Sequence, residues 1–490
     1  MKAKKFVVFV VFVLALLVAT AALAQSTLPG SGWWSGEQVQ NVGSSTASVS
    51  ITAYDSSGNY STSTQALAPG SAFTFIPSDF SGMPAGFSGA AVVTSDQPIK
   101  AIVNVTNRES GSLGIAGGKA AAQYQGVDGS MVDTTLYFPL AKGDHFNKTT
   151  TFFIQNTGSS AVTATANFIM RNGDTYMYTT PSIAPNEMVS FSLLDVASYN
   201  PTTNDGRVGS LTVTATEPLA GTVIEHFTTE NPATVAQATR AFVAADFDTK
   251  AYAPVIKNNR FNRFTGIQVQ NVSANPITIT VTYVGSAGSC AGNTYTDTAS
   301  NVGSGESATF VQLTGQTNLP DNCTASATIE GTGNIVAIVN ESYVSSYVSA
   351  GNDQRAVTSS AIPANSATTK VSVPLFKDDR FDKRTGLQIQ NVGAAQATNV
   401  VATFACTGGA TFTAVSKPQT VSAGGAVLFY NPSQQGSMFE AANPFSSANV
   451  NCSVTITADQ PIVAIANESV TPGATLEQDN NNYEGFNLTP

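Results

Sequence analysis

An all-β chain of four tandem Ig-like β-sandwich domains after a signal peptide is predicted by three observations. Two signatures recur together four times, apolar and polar residues alternate with period two, and the cysteines fall at matching places in two of the copies. The first signature reads QVQNVG at 38–43, IQNTG at 154–158, QVQNVS at 268–273 and QIQNVG at 388–393. The second follows each of them: DQPIKAIVN at 96–104, TEPLAGTVIE at 216–225, TGNIVAIVNE at 332–341 and DQPIVAIANE at 459–468. Copies spaced by roughly 110 to 120 residues are duplicated whole domains, because solenoid repeats are only about 20 to 50 residues long.

Runs such as SVSITA at 48–53, LTVTA at 211–215 and SVTIT at 453–457 alternate apolar and polar residues and are bounded by Gly, Asn, Asp, Ser and Pro. That pattern makes half-buried strands and leaves little room for helices. The division is 1–24 signal peptide, 25–107 first module, 108–135 connector, 136–230 second module, 231–250 connector, 251–345 third module, 346–370 connector, 371–470 fourth module and 471–490 tail. Modules two to four open on a Pro-apolar-x-Lys strand and a polar loop ending in Phe146, Phe261 or Phe381; module one lacks this opening strand.

The amino terminus carries Lys2, Lys4 and Lys5, then an apolar run, then Ala22-Leu23-Ala24, the three parts of a secretory signal peptide with Gln25 as first mature residue. An uncleaved signal anchor is the alternative. The protein is expected outside the cell or on its surface, with no membrane span in the mature chain. Charged residues make up 11% of the chain and the net charge is −10, a sparse and acidic balance that excludes nucleic acid as a partner. At 42% hydrophobic residues the chain can build cores and is not disordered. Cys290 with Cys323, and Cys406 with Cys452, are expected to form two intradomain disulfides, each worth up to roughly 4 kcal/mol on the chain-entropy argument.

Residues that carry chemistry are few. The two histidines, His145 and His226, belong to no repeated constellation, and no nucleophile elbow, zinc helix or phosphate loop is present, so no catalytic residue is assigned. No cofactor is assigned either. Calcium is the one ion that the Asp and Asn loops at 142–147, 257–262 and 377–382 bring to mind, and their own Lys and Arg argue for an internally paired loop instead. In the closing signature, Glu225, Glu341 and Glu468 each terminate an apolar row and need a buried partner; Arg260 and Arg380 are the expected ones, with His145 standing in for module two. A Lys-to-Asn isopeptide bond, from Lys142, Lys257 or Lys377 to Asn340 or Asn467, is disfavoured because Asn and Glu alternate in facing. Asn-x-Ser/Thr sequons such as Asn104 are no more frequent than this composition produces.

Module one, without an opening strand, presents an open edge. The expected donor is the tail of a neighbouring subunit, with Tyr483, Gly485 and Phe486, or the short segment 25–34; otherwise Trp33 and Trp34 close the module themselves. Head-to-tail contact of that kind propagates into a filament or lattice.

The joint pattern of Pro-apolar-x-Lys, TGIQVQN and DQPIVAIANE resembles repeats in secreted, uncharacterised bacterial surface proteins of Chloroflexi-like organisms. The resemblance spans nearly the whole mature chain and implies an exported sandwich array with no activity. The leading expectation is therefore a non-enzymatic structural or adhesive surface protein that associates with itself or with other surface proteins. A carbohydrate- or ligand-binding protein is the alternative, and a secreted hydrolase the third.

Overall fold

The computed structural model describes residues 9–15, 28–30, 32–107, 120–228, 235–313, 316–345, 356–430, 438–439, 445 and 449–488. The cleavage site at Ala24 and residues 25–27 and 31 lie outside them, as does 471–480. The described chain is all-β, and its helical elements are three-residue 3-10 turns.

Each module is two antiparallel sheets sharing one bent strand. In module two the closing strand, Val208–Phe227, pairs through its first half with the opening strand Asp133–Lys142 and with Thr165–Met170. Its second half pairs with Lys148–Asn156 and with Ala236–Arg240. The long strands Cys323–Tyr343 and Val450–Val470 do the same in modules three and four. In module one the strand is divided into Gly89–Ser95 and Ile99–Asn107. The immunoglobulin order, in which the first two strands are neighbours in one sheet, is not built: opening and second strands lie in different sheets and meet the closing strand separately. What stands of the expectation is an all-β chain of several antiparallel sheets.

The repeated signatures have local physical causes. Asn41, Asn156, Asn271 and Asn391 are fully buried. Each donates its amide to two backbone carbonyls, for example Asn391 to Ala395 at 2.8 Å and Val421 at 2.9 Å, and accepts from the amide two residues on. The preceding glutamine, as Gln270 with Gly305 at 3.2 Å, holds the loop that leads into the fifth strand. The Asp of DQP caps the third strand, with Asp96 accepting from Ser48 and Asp459 from Thr398. Both predicted disulfides form, Cys290 with Cys323 and Cys406 with Cys452.

The modules are not beads on a string. Ser210 of module two donates to Gly305 of module three at 2.5 Å, Ser326 of module three to Gly424 of module four at 2.6 Å, and Ser453 of module four to Gly70 of module one at 2.7 Å. Module one meets module two through Val92 and Val127 on Ala220. Segments expected as connectors supply one further strand per module: Ala121–Gln125, Ala236–Arg240, Val357–Ser360 and Asn481–Glu484. Each packs against the next, and the last packs against the first. Four modules thus close into a ring around these axial strands. The second face of each closing strand is buried as well: Val336 and Ile338 join Leu140 and Phe242 in an apolar cluster between modules two and three.

Ring closure overturns two expectations. The tail does not complete another subunit's module one: Asn481–Glu484 pairs with the closing strand of module four, Phe486–Asn487 pairs with its opening strand, and Gln125 donates to Glu484 at 2.9 Å. Tyr483 and Phe486 are buried in the module-four core. The head-to-tail joint that would propagate a filament is therefore consumed within the chain. The place of the missing opening strand is taken by Phe9–Ala15, whose backbone pairs with Gly89–Ser95 over seven residues. Its β-branched and aromatic composition suits a strand. Trp33 is buried and donates its indole N–H to Pro29 at 3.0 Å.

Replacing Asn391 with Asp removes two donors and leaves a buried carboxylate facing two carbonyls. Chemical denaturation should show a loss of about 3 kcal/mol, and the alanine variant a loss of similar size.

Candidate functional site

Three buried ion clusters anchor the loops that reach solvent. Glu225 is held by Lys142 at 3.0 Å and Lys148 at 3.2 Å, Glu341 by Lys257 at 2.8 Å and Arg263 at 2.6 Å, and Glu468 by Lys377 at 2.6 Å and Lys383 at 2.8 Å. Burial alone would raise each carboxyl, but its two cations more than offset that and hold it at about 2. The partners are the opening-strand lysine and the first residue of the second strand, not Arg260 and Arg380. Those arginines instead donate to Asn322 at 2.8 Å and Asn449 at 3.3 Å. His145 makes no such pair; its Nδ1 lies 3.1 Å from the Asn204 carbonyl, and burial beside Lys142 holds it at about 4, uncharged near neutrality. The lysines of the disfavoured isopeptide bond thus lie against carboxylates, and Asn340 meets Glu225 of the adjoining module at 3.5 Å. Module one lacks the whole set, with Val105 where the others have Glu and Trp33 where they have the second cation.

Between the two cations of each cluster runs a tight hairpin. His145 and Lys148 exchange backbone hydrogen bonds at 2.9 and 3.1 Å, and Arg260 and Arg263 do so at 3.0 and 3.1 Å. The two corner residues have positive φ in all three copies: Phe146 49° and Asn147 60°, Phe261 55° and Asn262 58°, Phe381 54° and Asp382 57°. This is the type I′ geometry, whose first corner is ordinarily Asn, Asp or Gly. Phenylalanine there costs roughly 1–2 kcal/mol because its Cβ crowds the backbone. The ring is not repaid by burial, since Phe146, Phe261 and Phe381 are 72%, 70% and 59% exposed. Arg260 and Arg380 lie over Phe261 and Phe381 at 4.5 and 4.3 Å from the ring centres, and His145 lies edge-on to Phe146. The loops are equivalent parts of modules two, three and four. The sequence marked these loops as polar joints; the cost of Phe at that φ emerges only from the backbone.

A second feature escaped notice in the sequence. Glu37 lies in module one at the core position filled by Phe152, Ile267 and Leu387 in the others, and is 1% exposed. Burial pushes its carboxyl up to about 8, so it is protonated in the folded protein at neutral pH. Comparing EQVQN with LQIQN would have found it. His226 is also buried, its Nε2 2.8 Å from the Thr151 hydroxyl. Among the described residues no group of three or more His, Cys, Asp or Glu is placed to hold a metal, and no helix is long and apolar enough to cross a membrane.

No protein-family model and no curated protein matches the chain. Among solved structures, one described as Thermotoga maritima 1070 aligns with 22% of this chain and 92% of its own at 15% identity and a TM-score of 0.18. A tetra-tandem repeat in the extending region of a large adhesion protein aligns with 95% and 98% at 13% identity and 0.10. An arabinofuranosyltransferase from Mycobacteria aligns with 88% and 37% at 8% identity and 0.14. None of these overlaps defines a shared fold.

The Glu341→Gln variant strands Lys257 and Arg263 as buried cations without a counter-charge, and should lower stability by about 3–5 kcal/mol in denaturant titrations. The pH response has two arms. Glu37 keeps its proton on folding up to about 8 but loses it in the unfolded chain near 4.5, so its contribution is full below about 4.5 and is lost as pH rises to about 8. The cluster carboxylates act oppositely, contributing above about 4.5 and failing as pH falls towards 2. Thermal midpoints of Glu37→Leu should therefore exceed those of the parent by a margin that widens from pH 5 to pH 8.

Proposed function

We propose that this is an exported, non-enzymatic surface protein whose ring of four sandwiches adheres through the face bearing Phe146, Phe261 and Phe381. The observation that carries the reading is the triple recurrence of a strained, exposed phenylalanine corner, because strain without burial persists where a side chain is required outside the molecule. Exposed apolar groups framed by polar loops are the usual mark of an interaction surface. Two disulfides fit an oxidising compartment, and the amino-terminal leader supplies the route out of the cell. The partner is another surface component of the cell or its surroundings. Head-to-tail polymerisation through the tail forms no part of the reading.

The alternative of ligand binding is favoured by one observation, a cleft beside Phe146 between modules two and three. It is compatible with adhesion and is taken up below.

A variant with Phe146, Phe261 and Phe381 all changed to Asn separates function from stability. Its corners suit the backbone better, so the unfolding free energy should rise by about 1 kcal/mol per site, and the thermal midpoint with it. Retention of the purified protein on isolated cell envelopes should fall to background. Unchanged retention in the triple variant would remove the reading, and amino-terminal sequencing of the exported protein should find Phe9–Ala15 retained, because that strand completes module one.

A further inference from the structure

Deepening the adhesive reading, on which it rests, we infer that the cleft between modules two and three binds an acidic saccharide, taking its carboxylate on Lys148 and Arg171 and its sugar ring on the aromatic rim. The cleft has a volume of about 700 Å³ and is lined by Lys142, Lys148 and Arg171, with Phe146, Phe264 and Tyr343 among the rim residues. Volume and mixed lining are those of a ligand pocket, not of a packing defect.

Charge decides the class of ligand. Lys142 and Lys148 share the single carboxylate of Glu225, which leaves one positive charge in excess, and Arg171 adds another. Arg171 pairs with Asp205 at 3.3 Å, whose side chain is 59% exposed and is not part of the cleft lining. His145, also in the lining, is uncharged near neutrality. A cleft with two excess positive charges in a chain of net charge −10 attracts anions locally. Glu225 already shows that Lys142 and Lys148 seat a carboxylate at hydrogen-bonding distance.

The remaining lining points to a saccharide. Phe146 and Phe264 provide flat apolar faces for the C–H surfaces of a sugar ring, Tyr343 lines the cleft with its ring against the Arg263 guanidinium, and Gln268, Asn340 and Ser342 place amide and hydroxyl groups among them. The cleft is specific to this joint through Arg171, which spans it by donating to Thr309 of module three at 2.8 Å. By register against the closing strand, the place of Arg171 is taken in modules three and four by Ser286 and Thr407, neither a cation.

Isothermal titration of the purified full-length protein with oligogalacturonate, and with a neutral dextran oligomer of equal length, tests the inference. Oligogalacturonate should bind and weaken as salt is raised, and dextran should not bind. Arg171→Gln, at a side chain 37% exposed, should keep the parent thermal midpoint and lose about tenfold in affinity, the size expected for one charge-assisted contact. Absence of oligogalacturonate binding, equal binding of dextran, or an Arg171→Gln protein that binds like the parent would overturn it. Envelope retention that depends on Phe261 and Phe381, which lie outside this cleft, would in those cases still uphold the adhesive reading. Loss of that dependence with saccharide binding intact would leave the cleft standing alone.

Discussion

Burial of the closing strand on both faces is the constraint from which the rest of this molecule follows. One face of Cys323–Tyr343 carries Ile335, Ala337 and Val339 into the core of its own sandwich, and the other carries Val336 and Ile338 into the contact with module two. A strand apolar on both sides cannot face water on either. Module two covers the second face, and the axial strand from the chain beyond covers its edge. Once each module meets its neighbour this way, four complete the circuit, and the last axial strand, Asn481–Glu484, reaches the first, Ala121–Gln125. The buried ion clusters sit at the outer end of the same strand, where Glu225, Glu341 and Glu468 bind two strands of the module at one point.

Much of this was legible in the sequence. Period-two alternation and the cysteine placement gave strands and both disulfides, because each reflects a local rule. The carboxylate at the end of the apolar row was also recognised as buried and in need of a partner. The choice of Arg260 and Arg380 failed because the hairpin corner turns those side chains outward over Phe261 and Phe381, while Lys257 and Arg263 flank Glu341 from the strands on either side. The facing of a residue at a hairpin corner depends on the turn type, which the string of letters FN or FD does not declare.

Ring closure was not legible. The signal was present in the continuous apolar run IVAIV of module three, which fills both faces of a strand, but alternation elsewhere directed attention to one face. The Ala, Ser and Gly composition of the connectors read as linker, whereas their strands meet one another through buried polar side chains, Gln125 on Glu484 and Gln237 on Val357 and Thr358. Val105 and Trp33 in module one illustrate a subtler coupling: with no opening-strand lysine there is no carboxylate and no second cation, so the whole charge set is absent together.

A covalently tethered ring differs from a cyclic assembly of identical chains in one respect. Identical subunits must repeat every substitution at each interface, so a side chain that improves one joint is imposed on all. Here each copy has its own codons, and Arg171 and Glu37 each occur once. Fusion thus frees the duplicated parts to specialise, turning a symmetric object into one with a distinguishable side.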